Sequence, residues 1–156
     1  MRWLERHAWW GLLFMTITIV IFGVTDVIAG VTADPGIPQG LTGLTPAELQ
    51  VESAPAYRLL DFFSRTQGNT LVHIGVIDTA VLLFAFRRDL IWAWWAMWVL
   101  PAWAVVGFVS YLVAGVAPGQ APPPPMLSGP VFAVLAAAIL LVSAPRFFKR
   151  DASRFS

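Results

Sequence analysis

Four stretches of the chain are apolar for long enough to cross a bilayer, which needs about 20 mostly apolar residues for a hydrocarbon core of about 30 Å. They run from about 8 to 29 (AWWGLLFMTITIVIFGVTDVIA), 69 to 86 (NTLVHIGVIDTAVLLFAF), 90 to 113 and 127 to 144. Pro101 lies inside the third stretch and predicts a kink, with packed neighbours satisfying the freed carbonyl. The first stretch has a basic lead (Arg2, Arg6) and a Val31-Thr32-Ala33 segment that could mimic a cleavage site. Its apolar run exceeds the usual 7–15 residues of a signal peptide, so it is read as a retained span.

The pattern predicts an all-α integral membrane protein. Four transmembrane helices form an antiparallel bundle, with a short helical outer cap at about 30–68 and a tail at 145–156, in a single membrane domain over 1–156. Composition supports this. Hydrophobic residues make up 58% and charged residues 12%, with a mean hydropathy of +0.71, whereas an ordinary soluble domain is about 25% charged. A soluble chain of this size could not hide so much apolar surface. A net charge of +1 leaves no basic footprint for nucleic acid. With no cysteine, disulfides and Cys-ligated zinc or iron–sulfur clusters are excluded.

Charge sets the orientation. Arg2, Arg6, Arg87, Arg88, Arg146, Lys149, Arg150 and Arg154 fall on one side, and only Arg58 and Arg65 on the other. Both termini and the Arg87-Arg88 turn are therefore expected in the cytoplasm, the protein lying in the cell (inner) membrane. Trp3, Trp9, Trp10, Trp92, Trp94, Trp95 and Trp98 cluster toward that same side, where indoles favour the headgroup interface, and Trp103 sits deeper.

The loops carry signals of their own. Asp34-Pro35-Gly36 and Ile37-Pro38 mark turns. Thr45-Pro46-Ala47-Glu48 is a capping box that should open a short helix to about Glu52. Pro55 opens a further helix to Thr66, whose Arg58, Asp61 and Arg65 share a face, and which is expected to run into the second span with a bend at Gly68. Pro122 to Pro125 predict a polyproline II strut, followed by a span capped by Ser128. The basic, aromatic segment from Arg146 to Ser156 reads as an anchor on anionic lipid.

Ionisable residues within spans are costly and mark candidate sites. Asp78 is expected near the midplane, where it is either a neutral acid bonded to Thr16 or Thr18 or a proton-relay or ligand-binding group. His73, five residues earlier, points about 140° away and does not share a face with it. Asp26 and Arg65, at adjoining ends of the first two spans, are expected to pair. With His73 and Tyr111 below them they would line an outward crevice. The candidate ligand-binding residues are thus Asp26, Arg65, His73, Tyr111 and Asp78, and no catalytic set is visible. No cofactor is required. His7 and His73 lie at opposite ends and cannot share a haem, and a quinone, or a pigment or haem held by His73 alone, is compatible with the residues without being called for by them. No span carries the lysine that a retinal would need, and no metal-ligand spacing appears.

Phe63-Ser64-Arg65-Thr66-Gln67-Gly68, leading into Gly75 and an apolar span, then Arg87-Arg88 and a third span, resembles the DoxX-like group of small bacterial four-helix membrane proteins over about 62–113. The resemblance implies a membrane bundle, and some members are subunits associated with oxidoreductase complexes and quinone chemistry. The cysteines that some members carry are absent, so the resemblance does not extend to redox chemistry by the protein itself. The leading expectation is a non-catalytic bundle that binds a lipid-like or quinone-like molecule or serves as an accessory subunit. A proton-coupled transporter or channel acting as a homo-oligomer, and a membrane enzyme using His73 and Asp26, are the alternatives. The expected partners are the lipid bilayer, a small hydrophobic ligand and further membrane subunits.

Overall fold

The computed structural model describes residues 7–148, all of whose regular structure is helical. Arg2, Trp3, Arg6 and the tail from Lys149 lie outside the described residues. Helix α1 spans Trp9–Ala29, α2 Gly36–Thr42, α3 Pro46–Glu52 and α4 Ala54–Phe84; α5 covers Ile91–Ala96, α6 Val99–Ala114 and α7 Pro124–Phe148. Four helical stretches are long and apolar enough to cross a membrane: α1, α4, the α5–α6 pair and α7. Large apolar side chains such as Phe14, Phe22, Ile28, Val106 and Val134 are exposed along them, which in water would be untenable and in lipid is the expected surface.

Helix α4 settles the second span. The amphipathic stretch after Pro55 and the apolar stretch after Asn69 form one unbroken helix. Gly68 does not interrupt it. Instead its missing side chain lets α1 come close: a methyl built on Gly68 would lie 2.7 Å from the Gly23 carbonyl oxygen and 2.6 Å from Cβ of Asp26. The relation is reciprocal, since a methyl on Gly23 would lie 2.7 Å from the Gly68 carbonyl oxygen. One face of α4, Gly68, Leu71, Gly75, Asp78 and Leu82, is buried at alternating spacings of three and four. It meets Leu12, Met15, Thr16, Ile19 and Gly23 of α1. The small-residue stripe includes Gly75, against Val20 and the Thr16 carbonyl. Gly107, in the third span, faces open space.

The third span is distorted ahead of its proline but not interrupted. Met97 and Trp98, both at φ −66 and ψ −11, keep helical torsions and join α5 to α6 in a tighter turn, one turn before Pro101. The reason is local: Pro101 has no N–H for the Met97 carbonyl and its ring crowds that carbonyl, so Leu100 N–H takes it at 3.3 Å in a tighter turn. Trp94 is not part of an interface belt. It is buried, and its indole N–H donates to the Leu140 carbonyl at 2.9 Å, tying α5 to α7. Trp10, Trp92 and Trp95 remain exposed.

The proline run forms less of a strut than expected. Helix α7 already starts at Pro124, because prolines in a first turn forfeit only N–H groups that have no intrahelical partner. Ser128 is therefore inside the helix, donating to the Pro124 carbonyl, and not a cap. Pro123 and Pro124 rest on Gly40 and Gly36 of α2, and Ala117 N–H donates to the Gly40 carbonyl at 2.8 Å. Helix α2 itself escapes a turn-only reading of its Pro-Gly-rich sequence: Asp34 Oδ1 accepts from Gly36 N–H at its start.

The Thr45–Glu48 capping box is present in both directions. Glu48 Oε2 accepts from Thr45 N–H at 2.8 Å, and Thr45 Oγ1 accepts from Glu48 N–H at 3.3 Å. The Thr45 backbone bond, and then its hydroxyl, hold the Glu48 carboxyl below its ordinary range. A depressed carboxyl contributes stability above its unfolded-state pKa and loses it as pH falls through the folded-state value. Amide protection over 46–52 should thus be intact at neutral pH and fade on acidification below the ordinary carboxylate range. Glu48→Gln should remove that acid dependence. Protection independent of pH in the parent protein would contradict the cap's role.

Candidate functional site

At one end of the molecule, Arg65 closes the gap between α1 and α4. Its Nη1 donates to the carbonyls of Val27 (2.8 Å) and Ile28 (3.0 Å), two of the last carbonyls of α1, which have no partner within their own helix. The positive guanidinium also meets the negative end of the α1 dipole. Its Nε donates to Asp61 Oδ2 at 2.8 Å, and the other Asp61 oxygen accepts the Val31 N–H at 3.1 Å. Gly30, at φ +59, has Asp61 where a side chain would be. The Asp61–Arg65 pair thus grips the end of α1 from a neighbouring helix.

This geometry corrects the expected Asp26–Arg65 pair. Arg65 does tie the first span to the second, but through Asp61 and backbone carbonyls, four residues along its own helix being nearer than the facing Asp26. Among the described residues Asp26 has no ion-pair partner. It lies instead within electrostatic reach of Asp34 and Tyr111, and Asp34 in turn reaches Tyr111. Of the expected crevice, His73 is not brought to Asp26. His73 is exposed on the outer face of α4, its Nδ1 at 2.7 Å from the Asn69 carbonyl. The residues missed were Asp61, whose spacing to Arg65 was visible, and Asp34.

A second clamp of the same design closes the opposite end. Arg146 pairs with Asp89 and its Nη2 donates to the Arg87 carbonyl at 2.9 Å. Asp89 sits at φ +60 where the chain reverses into α5. Arg146 was expected to begin a membrane-surface tail; it belongs to α7 and pins the turn between the second and third spans. Phe147 packs on Phe86 at 4.7 Å, and the Arg87 guanidinium lies 4.6 Å above the Trp9 ring.

Between the clamps lies a sparse polar layer. Asp78 is 6% exposed and Thr16 fully buried. The expected Asp78–Thr16 bond is not made: Thr16 Oγ1 donates to the Leu13 carbonyl at 3.0 Å and is met by Thr79 Oγ1 at 3.0 Å. Thr18 is turned outward, donating to the Phe14 carbonyl. Asp78 Oδ2 and Trp98 Nε1 are buried without hydrogen-bond partners. No three histidine, cysteine or acidic side chains among the described residues are grouped to hold a metal ion.

An apolar groove of about 670 Å³ runs between α1 and α7, lined by His7, Ala8, Trp10, Gly11, Ala138, Ile139 and Val142. Gly11 forms its floor, against Ile139 Cδ1. Trp10 and Val142 are about half exposed, so the groove opens outward to where lipid would lie. Trp10 stacks on Trp9 at 4.2 Å, leaving its other face to the groove's surroundings.

The chain matches no protein-family model, no curated protein and no solved structure.

The clamp at Arg65 yields a test of partner choice. Thermal unfolding of Asp61→Asn, Arg65→Gln and the double variant should be non-additive, the second loss being much smaller than the first. The corresponding cycle between Asp26→Asn and Arg65→Gln should be additive. Strong coupling between Asp26 and Arg65 would overturn the assignment.

Proposed function

We propose that the protein is a non-catalytic, polytopic membrane protein that binds a lipid-like or quinone-like molecule, and that the groove between α1 and α7 is where it binds. The observation that carries this reading is the groove's lining: five small or aliphatic residues form its wall, with one imidazole, His7, and one indole, Trp10, beside them. Ligand sites are typically apolar clefts of about 300–1,000 Å³ with a few polar groups that fix orientation. Here a hydrocarbon or isoprenoid tail lies along Gly11, Ala138, Ile139 and Val142. A polar head, such as a quinone carbonyl or an ester, sits at the His7 and Trp10 end.

The same reading includes the finer topology: an antiparallel bundle with both termini cytoplasmic, the Arg87-Arg88 turn on the cytoplasmic side and α2–α3 forming an outer cap. The Lys/Arg asymmetry supports it. A role as accessory subunit of a larger membrane complex is compatible with it, and the resemblance to DoxX-like proteins points the same way.

Purified protein in mild detergent, titrated with a short-tailed ubiquinone analogue or with phosphatidylglycerol and read by native mass spectrometry, should retain one ligand. Val142→Trp fills the groove from an exposed position, so it should weaken retention at least about tenfold, or about 1.4 kcal/mol, with the melting temperature unchanged. Equal retention by parent and variant would remove the groove from consideration.

A further inference from the structure

The polar layer, not the groove, holds the one buried charged residue among those described, Asp78. Asp78 belongs to the packed face of α4, between Gly75 and Leu82, and is 6% exposed. Its Oδ2 meets no donor. The two nearby hydroxyls are already committed. Thr16 Oγ1 donates to the Leu13 carbonyl (3.0 Å), while Thr79 Oγ1 lies 2.7 Å from the Gly75 carbonyl and 3.0 Å from Thr16 Oγ1. Each hydroxyl has one proton, and each proton has an acceptor within α1 or α4. Neither is left for Asp78.

The packed faces supply no countercharge either. Those of α1 (Leu12, Met15, Thr16, Ile19), α5–α6 (Ala93, Trp94, Leu100, Ala104) and α7 (Ala133, Ala136, Leu140, Ser143) contain no titratable or charged side chain. Of the remaining charged residues described, Asp61–Arg65 and Asp89–Arg146 are paired, Asp26, Asp34, Arg58, Arg87 and Arg88 lie at or beyond the helix ends, and Glu48 and Glu52 belong to α3; His73, on the same helix as Asp78, is exposed and bonded to the Asn69 carbonyl. Two buried donors among the described residues have no acceptor, Arg146 Nη1, which belongs to the clamp at the end, and Trp98 Nε1. Leu90 N–H bonds the Ala85 carbonyl across the turn. Counted from that point, Asp78 lies seven residues back and Trp98 eight forward, so both stand roughly 10–12 Å from that end.

An ionised carboxylate held in an apolar medium without a cation is costly by several kcal/mol or more, and the usual resolution is neutralisation. A bound metal cation would need further oxygen ligands, and no metal-ligand group is present among the described residues. A proton needs only the carboxyl itself. We propose that Asp78 is an intramembrane proton-binding site, occupied at neutral pH, and that the Trp98 indole N–H is the donor that receives the carboxylate when the proton leaves. In the neutral state the acid proton resides on a carboxyl oxygen of Asp78. On release it passes to water entering the bundle, and the carboxylate turns from an apolar setting to the indole N–H at the same depth. Proton uptake is thus an activity independent of the groove, and its failure would leave the groove reading untouched.

Infrared spectroscopy of the protein in phosphatidylcholine vesicles tests this. The parent protein at neutral pH should show the carbonyl stretch of an un-ionised carboxylic acid. Asp78→Asn should abolish that band and Asp26→Asn should not. Asp78→Glu, which keeps the acid, should retain a band at a shifted position, and it assigns the signal should the asparagine variant fail to fold. Trp98→Phe removes the donor to the ionised form, so its band should persist to higher pH than in the parent. Absence of the band in the parent at neutral pH, or its survival unchanged in both Asp78 variants, would overturn the proposal. A Trp98→Phe band that titrates as in the parent would remove Trp98 from it.

Discussion

The backbone-to-backbone contact of α1 with α4 at Gly23 and Gly68 is the constraint on which the rest of the molecule depends. Within lipid there is no hydrophobic drive to bring helices together, so packing has to come from close approach, and close approach requires small residues. Each glycine points its Cα toward the other's carbonyl oxygen, at a separation that a methyl group could not tolerate. Paired Cα–H···O contacts of this kind add a little to the dispersion gained along the whole seam. The seam continues through Gly75, and it brings Thr16 beside Thr79. At its end it leaves the last carbonyls of α1 within reach of Arg65.

The two arginine clamps follow one physical rule. A helix ends with carbonyls that have no partner of their own, and an end near the membrane has little water to spare for them. Arg65 takes the carbonyls at the end of α1, and Arg146 takes those of the turn after α4, each guanidinium being neutralised by an aspartate beside it. Together they close the helical ensemble at both ends. Among the described residues the buried polar side chains between them are Thr16 and Ser143, whose hydroxyls bond carbonyls of their own helices, and Asp78, which gives that one carboxyl its chemical interest.

Much of this was legible in the sequence. The four spans could be read from apolar run length alone, because no soluble fold competes for such runs, and the capping box at Thr45 was specific enough to place α3. Helix ends were less legible: α7 starts at Pro124 because prolines sit comfortably in a first turn, and composition alone reads four prolines as a strut. The site was read only in part. Depth along each helix correctly set Asp78 in the interior, but depth says nothing about which way a helix is turned. His73 therefore faces outward instead of into a crevice, and Arg65 found Asp61 on its own helix before Asp26 on another. The groove at Gly11 was invisible, since it is made by α1 and α7, far apart in sequence, and carries no motif.

If the close glycine contact organises the bundle, stability should be sensitive to a single methyl there and insensitive to the same methyl elsewhere in a span. The direct measurement is thermal unfolding in one detergent of Gly23→Ala, Gly68→Ala and Gly107→Ala. The first two place a methyl within 3 Å of backbone atoms of the facing helix, whereas Gly107 has nothing within 4 Å. Gly23→Ala and Gly68→Ala should each lose about 1–3 kcal/mol or fail to fold. Gly107→Ala should be neutral or gain about 0.5–1 kcal/mol from helix propensity. Equal stability of Gly68→Ala and the parent protein would contradict the account.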